Sequence, residues 1–202
     1  MQRIASSLRS IGKYFWFSVF LFIVAVGFGY TSDAFRAFLD QQLAELGELA
    51  EQIGGMENAH LMLFVVIFLN NTIKSIFVLY AGLFLGLFPL FFITVNGMLI
   101  GYLIRQLNEN VLMSPLPVWE VIVKGLLPHG IIEIPVVLVA AAYGLKLGWT
   151  VWQKLLFWSA ERKRSSLKQL LVESGPVVLF ITIALFVAAL IEAFITPVLL
   201  MM

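Results

Sequence analysis

Cysteine is missing from this chain, and charge is scarce. Without a thiol there is no disulfide, iron–sulfur cluster, thiolate zinc site or cysteine nucleophile. Charged residues make up 12% of the 202 residues, about half the roughly 25% of a soluble domain. Histidine occurs only twice, as His60 and His129, and no H-E-x-x-H zinc motif is present. There is no G-x-x-x-x-G-K-[ST] phosphate loop, no visible internal repeat and nothing that suggests nucleic-acid binding.

What is there is apolar. Hydrophobic residues make up 61% of the chain and the mean hydropathy is +0.98, which places it among integral membrane proteins. A helix needs about 20 apolar residues to cross a bilayer. The sequence offers five such runs, over residues 14–30, 60–83, 89–105, 118–147 and 171–200. The expected fold is therefore all-α: a polytopic membrane bundle forming one domain over residues 1–202. The first run is too long for a signal-peptide core and is read as a retained span. The fourth contains Pro128 and Pro135 and is expected to be kinked or broken. The uncharged turn "AGLFLGLFP" between the second and third is either a plain turn or a re-entrant bend.

Residues 32–59 follow the first span. They carry Asp33, Asp40, Glu45, Glu48, Glu51 and Glu57 against Arg36 alone. Phe35, Phe38, Leu39, Leu43, Leu46 and Leu49 recur at helical spacing, so this is expected to be an amphipathic acidic helix ending at Gly54 and Gly55. Its acidity disfavours anionic lipid and favours packing on the bundle or on a partner. Arg3, Arg9 and Lys13 precede the first span. Lys146, Lys154, Arg162, Lys163, Arg164 and Lys168 lie around an expected basic loop at residues 148–170. The excess of Lys and Arg puts both regions in the cytoplasm of a cell-membrane protein, with the acidic helix and the C-terminus outside. Trp119, Trp149, Trp152 and Trp158 are placed as interface anchors.

Against this apolar background the polar residues stand out. An ionised side chain at the bilayer centre costs about 2.5–3.5 kcal/mol on insertion scales, so such groups face inward, pair, and mark function. "LNNTIKS" supplies Asn70, Asn71 and Lys74. The third span supplies Thr94 and Asn96. "LLPHGIIEIPVVL" supplies His129 and Glu133, one helical turn apart, and "IEAFITP" supplies Glu192. An intramembrane polar core is expected from Asn70, Asn71, Lys74, Asn96, His129, Glu133 and Glu192. Lys74 is positioned to neutralise Glu133 or Glu192, and the asparagines to satisfy the Ile131 carbonyl that Pro135 frees. A divalent metal at His129, Glu133 and Glu192 is admitted by the spacing and required by nothing in it. Gly97 and Gly101 form a G-x-x-x-G pair of the kind that joins helices, including those of a homodimer.

The stretches "FLNNTIKS", "VNGMLIGYL", "PHGIIEIP" with "AAAYGLKLG", and "IEAFITP", in that order, resemble the stage II sporulation protein M family over nearly the whole chain. The resemblance implies a membrane protein of about five spans. It also implies, for the sporulation namesake, an engulfment complex with stage II sporulation proteins D and P, which degrade peptidoglycan. The family residues present here are Asn70, Asn71, His129, Gly130, Glu133, Pro135, Glu192 and Pro197, and no catalytic role comes with them. The expected function is a membrane scaffold or assembly subunit rather than an enzyme, with envelope-side partners such as peptidoglycan hydrolases and no cofactor required. The alternative is a small intramembrane transporter or metal-dependent membrane enzyme built on His129, Glu133 and Glu192.

Overall fold

The computed structural model describes residues 9–109, 117–156 and 167–202. Five helices in it are long and apolar enough to cross a membrane: α1 (Gly12–Thr31), α3 (Ala59–Ala81), α4 (Leu87–Glu109), α5 (Val118–Leu156) and α6 (Leu167–Met201). Between the first two lies the shorter amphipathic α2 (Arg36–Gly54). No strand occurs among the described residues. The protein is an all-α, multi-pass membrane protein, as the apolar runs require. Arg3, Trp158, Arg162, Lys163 and Arg164 lie outside the described residues.

The core is built where backbones come close. On α4, Gly97 and Gly101 face α1, and a Cβ at Gly101 would stand 2.0 Å from the Val26 carbonyl oxygen. In return, a Cβ at Gly29 of α1 would stand 2.2 Å from that of Met98. The G-x-x-x-G seam, expected to be open to a second copy, is thus filled by the chain's own first helix. Small residues let these helices approach because lipid supplies no hydrophobic drive between spans, leaving van der Waals packing to do it.

A second seam joins α3, α4 and α5. Residues 82–86 form a tight turn rather than a re-entrant segment, with Leu85 at φ 58° and Gly86 at φ 78°. That turn rests directly on α5. A Cβ at Gly82 would lie 2.1 Å from the Gly144 carbonyl oxygen, and one at Gly148 would lie 2.2 Å from the Gly86 nitrogen. Ala140, Ala141, Ala142, Tyr143 and Leu147 of α5 are buried, most of them against Val177, Ile181 and Leu185 of α6, with Ala141 turned towards Val78 and Ile93 instead. The fourth helix consequently runs nine residues beyond its expected end, to Leu156. Residues 148–156, expected to open a basic loop, are helical because Gly148 and Thr150 are still packed in the core.

The irregularity expected in the fourth span takes the form of a widened π turn at Val121–Leu126, where the Leu127 N–H reaches back five residues to the Ile122 carbonyl. The α-helical part then runs unbroken from Leu127 to Leu156 with Pro135 inside it. A matching π turn, Ile191–Ile195, interrupts α6.

Candidate functional site: a polar cluster between three spans

His129 and Glu133 lie one turn apart on α5, just after its π turn, and project to one side. Glu192 sits within the π turn of α6. Extra-wide turns re-aim side chains and are frequent at functional sites; here the two turns lie on neighbouring helices that supply the same cluster. One ligand-type atom from each of His129, Glu133 and Glu192 falls within 4.8 Å of the others. His129 Nε2 and Glu192 Oε2 are 3.9 Å apart, too far for a hydrogen bond. From α3, Asn71 Nδ2 donates to Glu133 Oε1 at 3.0 Å, and Asn70 Nδ2 donates to Asn71 Oδ1 at 3.3 Å. Four of the seven residues expected in an intramembrane core therefore meet, with Asn70 behind them.

The set carries one imidazole and two carboxyl groups. Its chemistry is that of a cation or proton site: three donor groups from two helices, oriented by an amide from a third. His129 Nδ1 is buried without a hydrogen-bond partner. Among the described residues, no Lys or Arg is ion-paired with Glu133 or Glu192.

The model of the family described as "Stage II sporulation protein M" matches residues 13–197. The chain belongs to the stage II sporulation protein M family. It is also 34% identical over 131 residues to an uncharacterized protein of Methanocaldococcus jannaschii, covering 64% of this chain and 68% of the archaeal one. No solved structure matches. The family-like stretches sit in different helices, and the fold brings three of them to one place: "FLNNTIKS" contributes Asn71, "PHGIIEIP" His129 and Glu133, and "IEAFITP" Glu192. The fourth, "VNGMLIGYL", packs against α1 instead.

Two expected members of the core stand apart in this family member. Lys74 is exposed on α3 and pairs with neither glutamate. Asn96 donates to the Phe92 carbonyl one turn back on its own helix, at 2.8 Å. Nor do the asparagines reach the Ile131 carbonyl: among the described residues Asn71, Asn70 and Asn96 donate to Glu133, Asn71 and Phe92. Lys124, a further cation of the fourth span, is held by Glu120 at 2.8 Å.

His60, at the start of the second span, lies outside the polar core expected from the sequence. Its Nδ1 lies 2.8 Å from the Ala193 carbonyl oxygen, in the π turn beside Glu192. A carbonyl only accepts, so Nδ1 carries the proton. The available signal was Pro197: a proline lacks the N–H that would bond the carbonyl four residues back, which is Ala193. His60 supplies the missing donor and ties α3 to the turn that carries Glu192.

Proposed function

We propose that the protein is an assembly subunit of the cell membrane that holds envelope-side proteins, such as peptidoglycan hydrolases, on the face formed by α2. The basic termini of α1 and α5 support a cytoplasmic N-terminus; with five crossings, α2 and the C-terminus are then outside. This role asks for no catalysis by the protein itself.

The observation that carries the reading is how α2 is held. Its start is pinned to the end of α4: Arg105 Nη1 bonds Asp33 at 2.8 Å, and the Tyr102 hydroxyl donates to Asp40. Leu39 is buried beside Tyr102, Met98 and Ala25, and Ile53 is buried near the other end. Between these anchors Glu45, Leu46, Glu48 and Leu49 are exposed. An apolar stripe flanked by glutamates repels anionic headgroups and complements a partner helix or loop that carries basic and apolar side chains.

A photo-crosslinking residue at Leu46 or Leu49, activated in intact membranes, tests this. Protein adducts are expected there whose partners carry an envelope-side domain that binds or cuts peptidoglycan, and Leu49→Glu is expected to weaken capture at Leu46. The same probe at Phe20, exposed on α1, serves as the lipid-facing control. Adducts at Leu46 and Leu49 no different from those at Phe20 would overturn the proposal.

A further inference from the structure

We infer that His129, Glu133 and Glu192 form a binding site for one divalent transition-type cation, with Zn²⁺ the ion their donor set suits. Three independent features of the cluster support this.

The first is placement. Zinc sites take imidazole and carboxylate donors at about 2.0–2.2 Å, and three protein ligands plus one open position are a common set. Donors on such an ion stand about 3.5 Å from one another by tetrahedral geometry. The three groups already lie within 4.8 Å. Side-chain rotations that draw each donor inward by less than about 1 Å would close the set.

The second is unmet bonding capacity. Buried polar groups are as a rule hydrogen-bonded, and an exception beside other donor groups points to an ion or water. Among the described residues, the three side chains accept one hydrogen bond, that from Asn71 to Glu133 Oε1. His129 Nδ1 has no partner, and Nε2 is left 3.9 Å from Glu192. His129 is not on the surface either, since its side chain retains only 13% of its exposure.

The third is charge. Two carboxyl groups at membrane depth are neutralised by protons or by a cation, because an unpaired buried charge is among the costliest groups a protein holds. The cations that might do so are engaged or pointed elsewhere: Lys124 by Glu120, Arg105 by Asp33 and Glu109, with Lys74 exposed. A divalent cation balances two carboxylates and leaves the imidazole neutral, the form in which it ligates.

The imidazole argues for a zinc-like ion over Ca²⁺ or Mg²⁺, which take six or more oxygens, or several waters, around them. Asn71 serves as an orienting group, since it fixes Glu133 Oε1 and, among the described residues, leaves Oε2 without a hydrogen-bond donor. This inference is independent of the docking role proposed for α2, and either survives the failure of the other.

The test uses the full chain purified in detergent without chelator, with Zn²⁺ counted by elemental analysis and Co²⁺ as a spectroscopic probe. One ion per chain is expected, with a Co²⁺ absorption that shows a nitrogen ligand. Glu192→Gln, nearly the same shape, is expected to abolish stoichiometric binding, and His129→Gln to do the same. Asn71→Ala is expected to weaken affinity roughly 10–100-fold, as for other orienting groups. Glu57→Gln, which alters an exposed carboxylate away from the cluster, is expected to leave binding unchanged. Circular dichroism and monodisperse elution identify variants that remain folded. Saturable binding absent from the parent chain, or equal in the parent and a folded Glu192→Gln or His129→Gln variant, would overturn the site.

Discussion

At the scale of single residues, an exposed histidine and a proline act as a pair. Pro197 cannot donate to the Ala193 carbonyl, and His60 does so from another helix. The two positions are therefore coupled. A net hydrogen bond contributes about 0.5–1.5 kcal/mol. His60→Ala is expected to destabilise the parent chain by about 1 kcal/mol. In a Pro197→Ala background, where residue 197 regains its N–H, the same change is expected to cost less, since the helix supplies the donor itself. Thermal unfolding of the four chains in detergent gives the coupling directly, and an equal cost in both backgrounds contradicts the account. The same scale shows why Lys74 was misplaced. Hydrophobic periodicity locates the buried face of a soluble helix, but lipid and protein interior are equally apolar here. The inward side of α3 runs through Thr72, Ser75, Val78 and Leu79, so Lys74, between the first two, falls outside it. Only the fold reveals which side faces in.

At the scale of elements, close backbone approach and not side-chain size holds the bundle together. This sorts the glycines into two kinds. Gly148→Ala and Gly82→Ala would drive a methyl group into backbone atoms of the opposing segment and are expected to cost about 1–3 kcal/mol, the usual range for overpacking. Gly27 and Gly175 have nothing within 4 Å of an added Cβ. Replacing either with alanine is expected to stabilise its helix by roughly 0.5–1 kcal/mol. Detergent-resistance or thermal-melting series separate the groups, and similar effects for both would count against these seams. The number and order of the spans were legible, because run length against bilayer thickness is a coarse constraint that five segments satisfy. The end of α5 was not. It depends on Gly148 meeting the turn at Gly86, two points over sixty residues apart in the chain. The π turns were equally hidden: they leave no periodic mark, and only Pro128 and Pro197 hinted that the helical ladder is interrupted nearby. Of the polar cluster, His129 with Glu133 could be read from spacing alone, whereas the arrival of Glu192 and Asn71 depends on how three helices cross.

At the scale of the whole molecule, the two ends differ in chemistry. One end carries α2 with its carboxylates, held by Tyr102 and Arg105. The other presents Lys13 and Lys154, both exposed, and Lys146, which bonds Ser10 at 2.7 Å. In the orientation proposed above, Glu57, just after α2, and Lys154 lie on opposite sides of the membrane. The lack of cysteine makes that difference directly measurable, because any thiol introduced is the sole target of a maleimide. Glu57→Cys, on the α2 side but outside the docking stripe, is expected to react with a membrane-impermeant maleimide in intact cells. Lys154→Cys is expected to react only after permeabilisation. Both positions are exposed and neither touches the polar cluster, so neither change should disturb the fold. The reverse pattern would invert the bundle, place α2 in the cytoplasm and remove the envelope from the partners it can meet, while the proposed metal site, set between spans, would keep its ligands in either orientation.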